Sequence, residues 1–241
     1  MKVLLLFLFL ALAQSLSCQL DTLQLRYPAS STIIEVYLRA APNPGKQDAV
    51  HYFTDGKKLL ENDFLDTLQL VEERLLLEPA HWVFISTIDP VTGQDHRNEY
   101  FFCNPDYLQF IDSTLIPAVE EQLGISPRPS DRSLIGLSFG GLNAAYFSAH
   151  SQIFQNFALL SPVTYPCPMV ERDILFSENA DIRVWLSTGR NDAERYVQKL
   201  EAVYRGKGLK VEILETDGSH DFANWRQQIE TILRFLQDEN Q

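Results

Sequence analysis

Short apolar stretches alternate with longer stretches of helical spacing along most of this chain, and no other feature limits its fold as strongly. The apolar stretches are rich in β-branched and aromatic residues and are bounded by turn residues, as buried strands are. They are STIIEVYLRA, AVHYFTDG, HWVFISTID, SLIGLS, FALLSP, IRVWLSTG and LKVEILET. The helical stretches are DFLDTLQLVEERLLLE, PDYLQFIDSTLIPAVEEQL, GLNAAYFSAHS, DAERYVQKLEAVYRGKG and WRQQIETILRFLQDE.

Strands that alternate with helices form a mostly parallel sheet with helices on both faces. We therefore predict an α/β protein with a single domain over residues 20–241, since no repeat or Pro/Ser-rich linker divides that range. STIIEVYLRA partly alternates in polarity and favours an early antiparallel strand. The second helical stretch should bend near Pro117, because a proline inside a helix removes a backbone hydrogen bond.

The charge balance excludes a nucleic-acid partner. The chain has 241 residues and a formal net charge of −12 at pH 7. Binding to phosphate backbones needs clustered Lys and Arg, and the sequence has no basic stripe. We interpret the acidic balance as a source of solubility.

The N-terminus resembles a secretory leader. Lys2 precedes an apolar run over residues 3–13, which has the length of a signal-peptide core and is short for a membrane span. We predict a signal peptide over residues 1–17 and export to the periplasm or the extracellular space. The alternative is a lipoprotein leader, in which Cys18 would carry a lipid anchor. No later segment is apolar for long enough to predict a transmembrane helix.

Two cysteines remain after the leader region, Cys103 and Cys167. An exported protein can oxidise such a pair to a disulfide, but the sequence does not show whether their Cα atoms are close enough. There is no C-x-x-C pair, so we expect no structural zinc site and no other metal. The sequence leaves the oligomeric state open.

Ser138 stands in a G-x-S-x-G pattern, Gly136-Leu137-Ser138-Phe139-Gly140. The pattern follows a predicted strand and precedes a predicted helix, which is the setting of a nucleophilic serine on a sharp turn. A serine there has its hydroxyl exposed at a helix N-terminus, where the helix dipole favours a developing negative charge. The alternative is a tight turn with a purely structural role.

Two further polar residues follow later strands. Asp192 comes after IRVWLSTG, with Glu194 as the reserve candidate, and His220 comes after LKVEILET. Alone, Asp192 could cap the next helix and His220 could be a solvated loop residue. The chain order Ser138, Asp192, His220 is however the order of nucleophile, acid and base in α/β-hydrolases. We therefore predict an α/β-hydrolase fold with a Ser-His-Asp triad, which needs no cofactor.

An oxyanion hole needs two N–H donors near the serine hydroxyl. The Phe139 N–H directly follows Ser138, and a second donor is expected in the loop HYFTDGKKLL, from Gly56 or Lys57. Asp55 in the same loop is predicted to order the loop. Arg97 and Glu99 are expected to form a bracing pair in another loop.

The chain resembles the putative-esterase (esterase D-like) family of α/β-hydrolases, which includes siderophore esterases such as the enterochelin esterases, feruloyl esterases and mycolyl-transferring relatives. The resemblance covers nearly the whole chain after the leader and is carried by these segments: IIEVYL, YFTDG, LIPAVEEQLG, RSLIGLSFGGLNAAYFSAHSQIFQNFALLSP, STGRNDA and DGSHDFANW. It implies that Ser138 is the nucleophile, His220 the base, Asp192 the orienting acid and Phe139 an oxyanion donor. The oxyanion loop departs from many members, because TDGKK stands where they have His-Gly or a longer glycine run.

The segment SPVTYPCPMVERDILFSEN is predicted to form a rim over the site, with Tyr165 and Met169 near the substrate and Trp225 on the same rim. The sequence thus predicts an exported serine esterase that acts on a small-molecule ester. The alternatives are an acyltransferase of the same fold and a catalytically silent binding module. Which ester is bound stays open, since substrate selection depends on loops.

Overall fold

The computed structural model describes residues 20–42, 44–45, 48–78 and 80–237. The predicted signal peptide at residues 1–17 and the predicted lipid-anchor residue Cys18 lie outside these ranges. Within them, no helix combines the length and the apolar character that a membrane crossing requires.

The described part of the chain forms one sheet of eight strands in the order β1-β2-β4-β3-β5-β6-β7-β8. The strands are β1 Asp21–Arg26, β2 Ile33–Arg39, β3 Val50–Phe53, β4 His81–Ile85, β5 Arg132–Leu137, β6 Asn156–Leu160, β7 Arg183–Gly189 and β8 Lys210–Thr216. β2 pairs antiparallel with both β1 and β4, whereas β3 to β8 run parallel to one another. The predicted mostly parallel sheet is confirmed.

Ten α-helices lie in the described ranges. They are α1 Gly56–Leu60, α2 Phe64–Leu75, α3 Arg97–Phe101, α4 Pro105–Phe110, α5 Ile116–Leu123, α6 Phe139–His150, α7 Val170–Phe176, α8 Glu194–Gly206, α9 Phe222–Gln227 and α10 Ile229–Gln237. A π-helical turn, Ile111–Leu115, joins α4 to α5 just before Pro117. Where a bend was expected, the structure thus has a widened helical turn before the proline.

The sheet separates two apolar layers, because successive residues of each buried strand point to opposite faces. In β5, Leu134 belongs to one layer and Ile135 to the other. Residues of α4, α5, α6, α7 and α8 pack in the first layer, and residues of α2 and α10 in the second. Burial of these apolar side chains contributes about 25 cal/mol per Å² and supports a rigid sheet.

The carboxyl ends of the parallel strands lie at one edge of the sheet, and the polar residues predicted for the site follow them. Ser138 directly follows β5, Asp192 follows β7 by three residues, and His220 follows β8 by four. Asp55 follows β3 by two residues. Clefts at this edge are where ligands bind in open α/β sheets.

Candidate active site

Ser138 lies on a strained corner between β5 and α6. Its φ is 56° and its ψ −115°, a region that residues with a Cβ rarely adopt. The Ser138 N–H donates to the Leu160 carbonyl at 2.8 Å, which fixes the corner to β6. A Cβ on Gly136 would lie 2.1 Å from the Gly140 carbonyl oxygen, so the close crossing of strand and helix requires glycine there.

A chain of two hydrogen bonds joins the three predicted catalytic residues. Ser138 Oγ lies 2.8 Å from His220 Nε2, and His220 Nδ1 lies 2.5 Å from Asp192 Oδ1. The Asp192 side chain is 4% exposed and that of His220 is 37% exposed, so the carboxylate is buried behind a ring that reaches the cleft. When Nδ1–H donates to the carboxylate, Nε2 is free to accept the serine proton.

The alternative of Asp192 as a helix cap does not hold. Ala193 is the N-cap residue of α8, and the second oxygen of Asp192 accepts the Gly189 N–H at 3.3 Å. The reserve candidate, Glu194, accepts the Asn191 N–H instead. Of the two acids, the structure therefore brings Asp192 to His220.

The loop that carries His220 is held from behind by Asn224 and Trp225. The Asn224 side-chain amide donates to the Ser219 carbonyl at 2.9 Å. The Trp225 ring lies edge to face with the His220 ring, 4.9 Å between centroids, and its Nε1–H donates to Ser161 Oγ at 3.0 Å. Trp225 lines the cleft but is only 5% exposed, so its ring mainly packs against the imidazole, and its place on the substrate rim stays a prediction.

The predicted oxyanion donors lie at the starts of two helices. Phe139 is the first residue of α6, and Gly56 and Lys57 are the first two of α1. The first turn of a helix leaves its N–H groups without intrahelical partners. A Cβ on Gly56 would lie 2.4 Å from the Phe84 carbonyl carbon, so glycine lets α1 start against β4. Their role as donors stays a prediction.

The cleft around Ser138 measures about 470 Å³ and opens to solvent. Its lining residues are Asp55, Lys58, Arg97, Leu137, Ser138, His220, Asp221, Phe222 and Trp225. Sequence reasoning missed Lys58, Asp221 and Phe222 here. The position of Phe222, two residues after His220 in SHDFANW, is a signal that could have identified it.

The expected brace between Arg97 and Glu99 is wrong. Arg97 donates to the buried carboxylate of Asp55. Glu99 pairs instead with His96, with its Oε2 2.9 Å from His96 Nδ1. The reason is that α3 begins at Arg97, and side chains two positions apart on a helix point in different directions. Burial raises the pKa of Asp55, and the Arg97 guanidinium counters that rise. The loop-ordering role predicted for Asp55 is consistent with this contact.

Three aromatic rings form a wall beside Ser138, which we call the aromatic wall: Phe102, Phe139 and Tyr165. The Phe139 ring contacts both others edge to face, with centroids 5.0 Å from Phe102 and 5.8 Å from Tyr165. Tyr165 is 63% exposed, and the other predicted rim residue, Met169, is 41% exposed. Both are thus accessible to a bound molecule, while contact with substrate stays a prediction.

Cys103 and Cys167 form a disulfide, which settles a pairing that the sequence left open. Each cysteine is close in sequence to one member of the aromatic wall, Cys103 to Phe102 and Cys167 to Tyr165. The bond therefore ties together the two loops that flank Phe139. Among the described residues, no cluster of three or more His, Cys, Asp or Glu side chains is arranged to hold a metal ion.

Comparison with known proteins places this geometry in a family. The model of a family described as "Putative esterase" matches residues 30–236. The iron(III) enterobactin esterase of Escherichia coli K12 is 34% identical over 83 residues, which are 34% of this chain and 20% of that protein. The aligned segment is thus about a fifth of the length of the curated relative.

Solved structures share the fold at low sequence identity. The enterobactin esterase from Shigella flexneri, solved in the presence of enterobactin, has a TM-score of 0.81 at 21% identity, over 91% of this chain and 59% of that one. A siderophore hydrolase from Aspergillus nidulans has a TM-score of 0.72 at 17% identity, over 98% and 100% of the two chains. The predicted α/β-hydrolase fold is confirmed by these neighbours.

Proposed function

Because the chain belongs to the Putative esterase family, we propose that it hydrolyses a small-molecule carboxylic ester through a Ser-His-Asp triad. The observation that carries the proposal is the hydrogen-bonded chain from Ser138 Oγ through His220 to the buried Asp192 carboxylate. Such a chain supplies a nucleophile, a base within reach of its proton, and a group that orients the base.

In the first half-reaction, Ser138 Oγ attacks the ester carbonyl carbon while His220 Nε2 takes the hydroxyl proton. The carbonyl oxygen becomes an oxyanion in the tetrahedral intermediate. His220 then donates its proton to the leaving alcohol as the C–O bond breaks, which leaves the acyl group on Ser138. In the second half, His220 takes a proton from a water whose oxygen attacks the acyl carbon. His220 then returns this proton to Ser138 Oγ as the acyl–serine bond breaks and the carboxylic acid leaves.

Asp192 acts through His220. Its carboxylate accepts the Nδ1–H, which keeps Nε2 unprotonated and directed at Ser138, and it stabilises the imidazolium that forms during attack. Phe139 N–H and one N–H from Gly56 or Lys57 are the proposed oxyanion donors. Preorganised backbone donors of this kind stabilise a developing charge without having to reorient during the reaction.

We also propose that the protein is exported. The supporting observation is the Cys103–Cys167 disulfide, since such bonds persist mainly in oxidising compartments. Fractionation of cells that produce the full chain checks this: the disulfide-bonded protein is expected outside the cytoplasm, and a cytoplasmic reduced protein would contradict it.

Ser138→Ala tests the mechanism. Hydrolysis of p-nitrophenyl, acetyl-sugar, feruloyl and catecholate-siderophore esters is expected to fall by about 10⁴-fold or more, because no other group replaces the nucleophile. Ser138→Ala should also lose labelling by a fluorophosphonate probe, which reacts with the serine hydroxyl. Ser133→Ala, at the other end of β5, is the matched control and should keep both ester hydrolysis and probe labelling. Undiminished turnover or labelling in Ser138→Ala would refute the serine mechanism.

A further inference from the structure

We propose that Arg97 is a positioning residue that holds the oxyanion hole together; this rests on the esterase function proposed above. Its guanidinium binds two segments at once. One is the Asp55 side chain, next to Gly56 at the start of α1, and the other is the Leu137 carbonyl, next to Ser138.

Arg97 makes a bidentate ion pair with Asp55 and one further hydrogen bond to the Leu137 carbonyl. Nε–H donates to Asp55 Oδ1 at 2.6 Å, and Nη2–H donates to Asp55 Oδ2 at 2.9 Å and to the Leu137 carbonyl at 3.0 Å. The side chain of Asp55 is 1% exposed and that of Arg97 is 18% exposed. Ion pairs with this fork geometry and little solvent fix the relative position of the groups that they join.

Asp55 is itself part of the structure that presents the proposed donors. Its φ of 58° turns the chain from β3 into α1, so that Gly56 begins the helix. A Cβ on Gly140 would lie 3.0 Å from Asp55 Oδ2 and 2.3 Å from Thr54 Oγ1, so the carboxylate also packs against the first turn of α6. The carboxylate therefore lies between Arg97 and the helix that begins at Phe139.

Arg97 also contacts the ring of Phe139, the first residue of α6. Its guanidinium carbon lies 5.3 Å from the centroid of the Phe139 ring, within the range of a cation–π contact. The residue thus reaches the start of α1 through Asp55, the turn at Ser138 through Leu137, and the start of α6 through Phe139. Loss of these contacts would change the distance between the two oxyanion donors.

The chain offers a matched control in a second pair of the same kind. Arg132 Nε and Nη2 donate to Glu120 Oε1 at 2.6 Å and Oε2 at 2.8 Å, and the two side chains are 14% and 10% exposed. Arg132 begins β5, whereas the Leu137 carbonyl bound by Arg97 is at its end. The two pairs therefore match in chemistry and burial but lie at opposite ends of β5. The Arg97 pair lies at the carboxyl edge of the sheet, where the parallel strands end, and the Arg132 pair lies at the amino edge, where they begin.

The test compares Arg97→Lys with Arg132→Lys. Lysine keeps the charge but cannot make the planar three-bond contact. For Arg97→Lys we expect kcat to fall by about 10- to 100-fold with KM little changed, because the donors act mainly in the transition state. Affinity for a phenylboronic acid, which mimics the tetrahedral intermediate on Ser138, should fall in proportion to kcat. Arg132→Lys should lose a similar amount of stability and keep its kcat.

Arg97→Ala with added methylguanidine gives a second readout. The space left by the side chain opens to the cleft, so the free cation can occupy it and restore part of kcat. Tetramethylammonium at the same ionic strength should not restore it, because it has no N–H donors. Rescue by both salts alike, or by neither, would contradict a role that depends on the fork of hydrogen bonds.

Other results would overturn the proposal. Arg97→Lys with an unchanged kcat would make the pair purely structural, and a rise in KM alone would make Arg97 a substrate-binding residue. Equal turnover in the wild type and Ser138→Ala would refute the proposed function and this inference with it. If Ser138→Ala lost turnover while Arg97→Lys kept the turnover of the wild type, this inference alone would be refuted.

Discussion

The two ends of β5 hold the same kind of buried ion pair in very different backbones. At the amino end, Arg132 is in extended conformation, with φ −103° and ψ 135°, and its guanidinium binds Glu120. At the carboxyl end, Arg97 binds Asp55, and both Asp55 and Ser138 have positive φ. A similar contact thus stabilises regular structure at one edge and holds a strained loop at the other.

The same contrast extends across the sheet. Within the described part of the chain, four residues with side chains have positive φ within two positions of the end of a parallel strand: Asp55, Ser138, Ser161 and Asn191. Each such conformation costs about 1 to 3 kcal/mol and persists only where the surroundings enforce it. We infer that the stability of the amino edge and of the two apolar layers sustains this strain. Substitutions at the carboxyl edge should therefore affect turnover more than stability, and substitutions at the amino edge should affect stability more than turnover.

Among the substitutions that keep Ser138, Asp192→Asn should give the largest effect at the carboxyl edge. The amide can donate to His220 Nδ1 and so favours the wrong tautomer, with the proton on Nε2 facing Ser138. We expect kcat to fall by about 10³- to 10⁴-fold with the fold unchanged. Steady-state kinetics and thermal unfolding of the same preparations check both parts.

Asp131→Asn is the control at the amino edge. Asp131 accepts two side-chain bonds from Arg128, at 2.8 and 2.9 Å, and precedes β5. Its substitution should lower stability and leave kcat within about twofold of the wild type, a change below 0.5 kcal/mol in the barrier. A large loss of turnover in Asp131→Asn, or none in Asp192→Asn, would break the comparison between the edges.

The double variant Cys103→Ser/Cys167→Ser should give the next largest effect, on stability. The two cysteines are separated by 64 positions, and closing a loop of that length contributes about 4 kcal/mol in the chain-entropy description. KM should also rise, because Phe102 and Tyr165 then lose the link that holds them around Phe139. Urea unfolding and kinetics with and without dithiothreitol measure the two effects.

Dithiothreitol should shift the stability and the KM of the wild type toward those of the double variant, and it should leave both quantities of the double variant unchanged. If reduction lowered stability but left KM as it was, the aromatic wall would not depend on the disulfide. If neither quantity changed, the bond would have no role in the folded protein.

Much of the fold could be predicted because its signals are local. The buried strands are continuous apolar runs, and the order of Ser138, Asp192 and His220 follows from which strand each residue succeeds. β1 was missed because Asp21–Arg26 is largely exposed and has no apolar run. Five-residue α1 and seven-residue α7 were missed because helical periodicity cannot be recognised over one or two turns.

The pairing of Arg97 with Asp55 could not be predicted, because it depends on tertiary structure. The partners are 42 positions apart, and sequence reasoning chose Glu99 because it is near in the chain. The disulfide was foreseen only as a possibility for the same reason. What local patterns leave out is thus the set of contacts that join loops at the carboxyl edge, where the chain departs from regular structure.

Ser138→Gly should have a smaller effect on stability than the disulfide variant, and this effect should be opposite in sign to its effect on turnover. Glycine adopts positive φ without strain, so it should stabilise the protein by about 1 kcal/mol, or roughly 2 to 4 °C in Tm, while turnover is lost. At Ser138 the glycine variant should therefore be more stable than the alanine variant. At Ser133, in regular strand, alanine should be the more stable of the two. Thermal unfolding of the four variants checks this, and the same order at both sites would contradict strain at Ser138.

Asp112→Asn should give the smallest effect, at the amino edge. Burial raises the pKa of the Asp112 carboxyl to about 6, although the Ser151 hydroxyl donates to it at 3.0 Å. Ser151 follows the last residue of α6, a helix that runs back from the carboxyl edge, so this carboxyl lies far from Ser138 in the fold. Asparagine keeps the acceptor for Ser151 and removes the charge.

The sign of the pH dependence follows from the raised pKa. A carboxyl with a higher pKa in the folded state than in the unfolded chain favours folding when protonated, and this contribution is lost as pH rises from about 4 through about 6. Asp112→Asn should thus stabilise the protein by about 1 to 2 kcal/mol at pH 8 and by little at pH 4. Turnover should stay unchanged at both. Unfolding by urea across this pH range measures the difference, and a gain that is independent of pH would show that removal of the buried charge is not its cause.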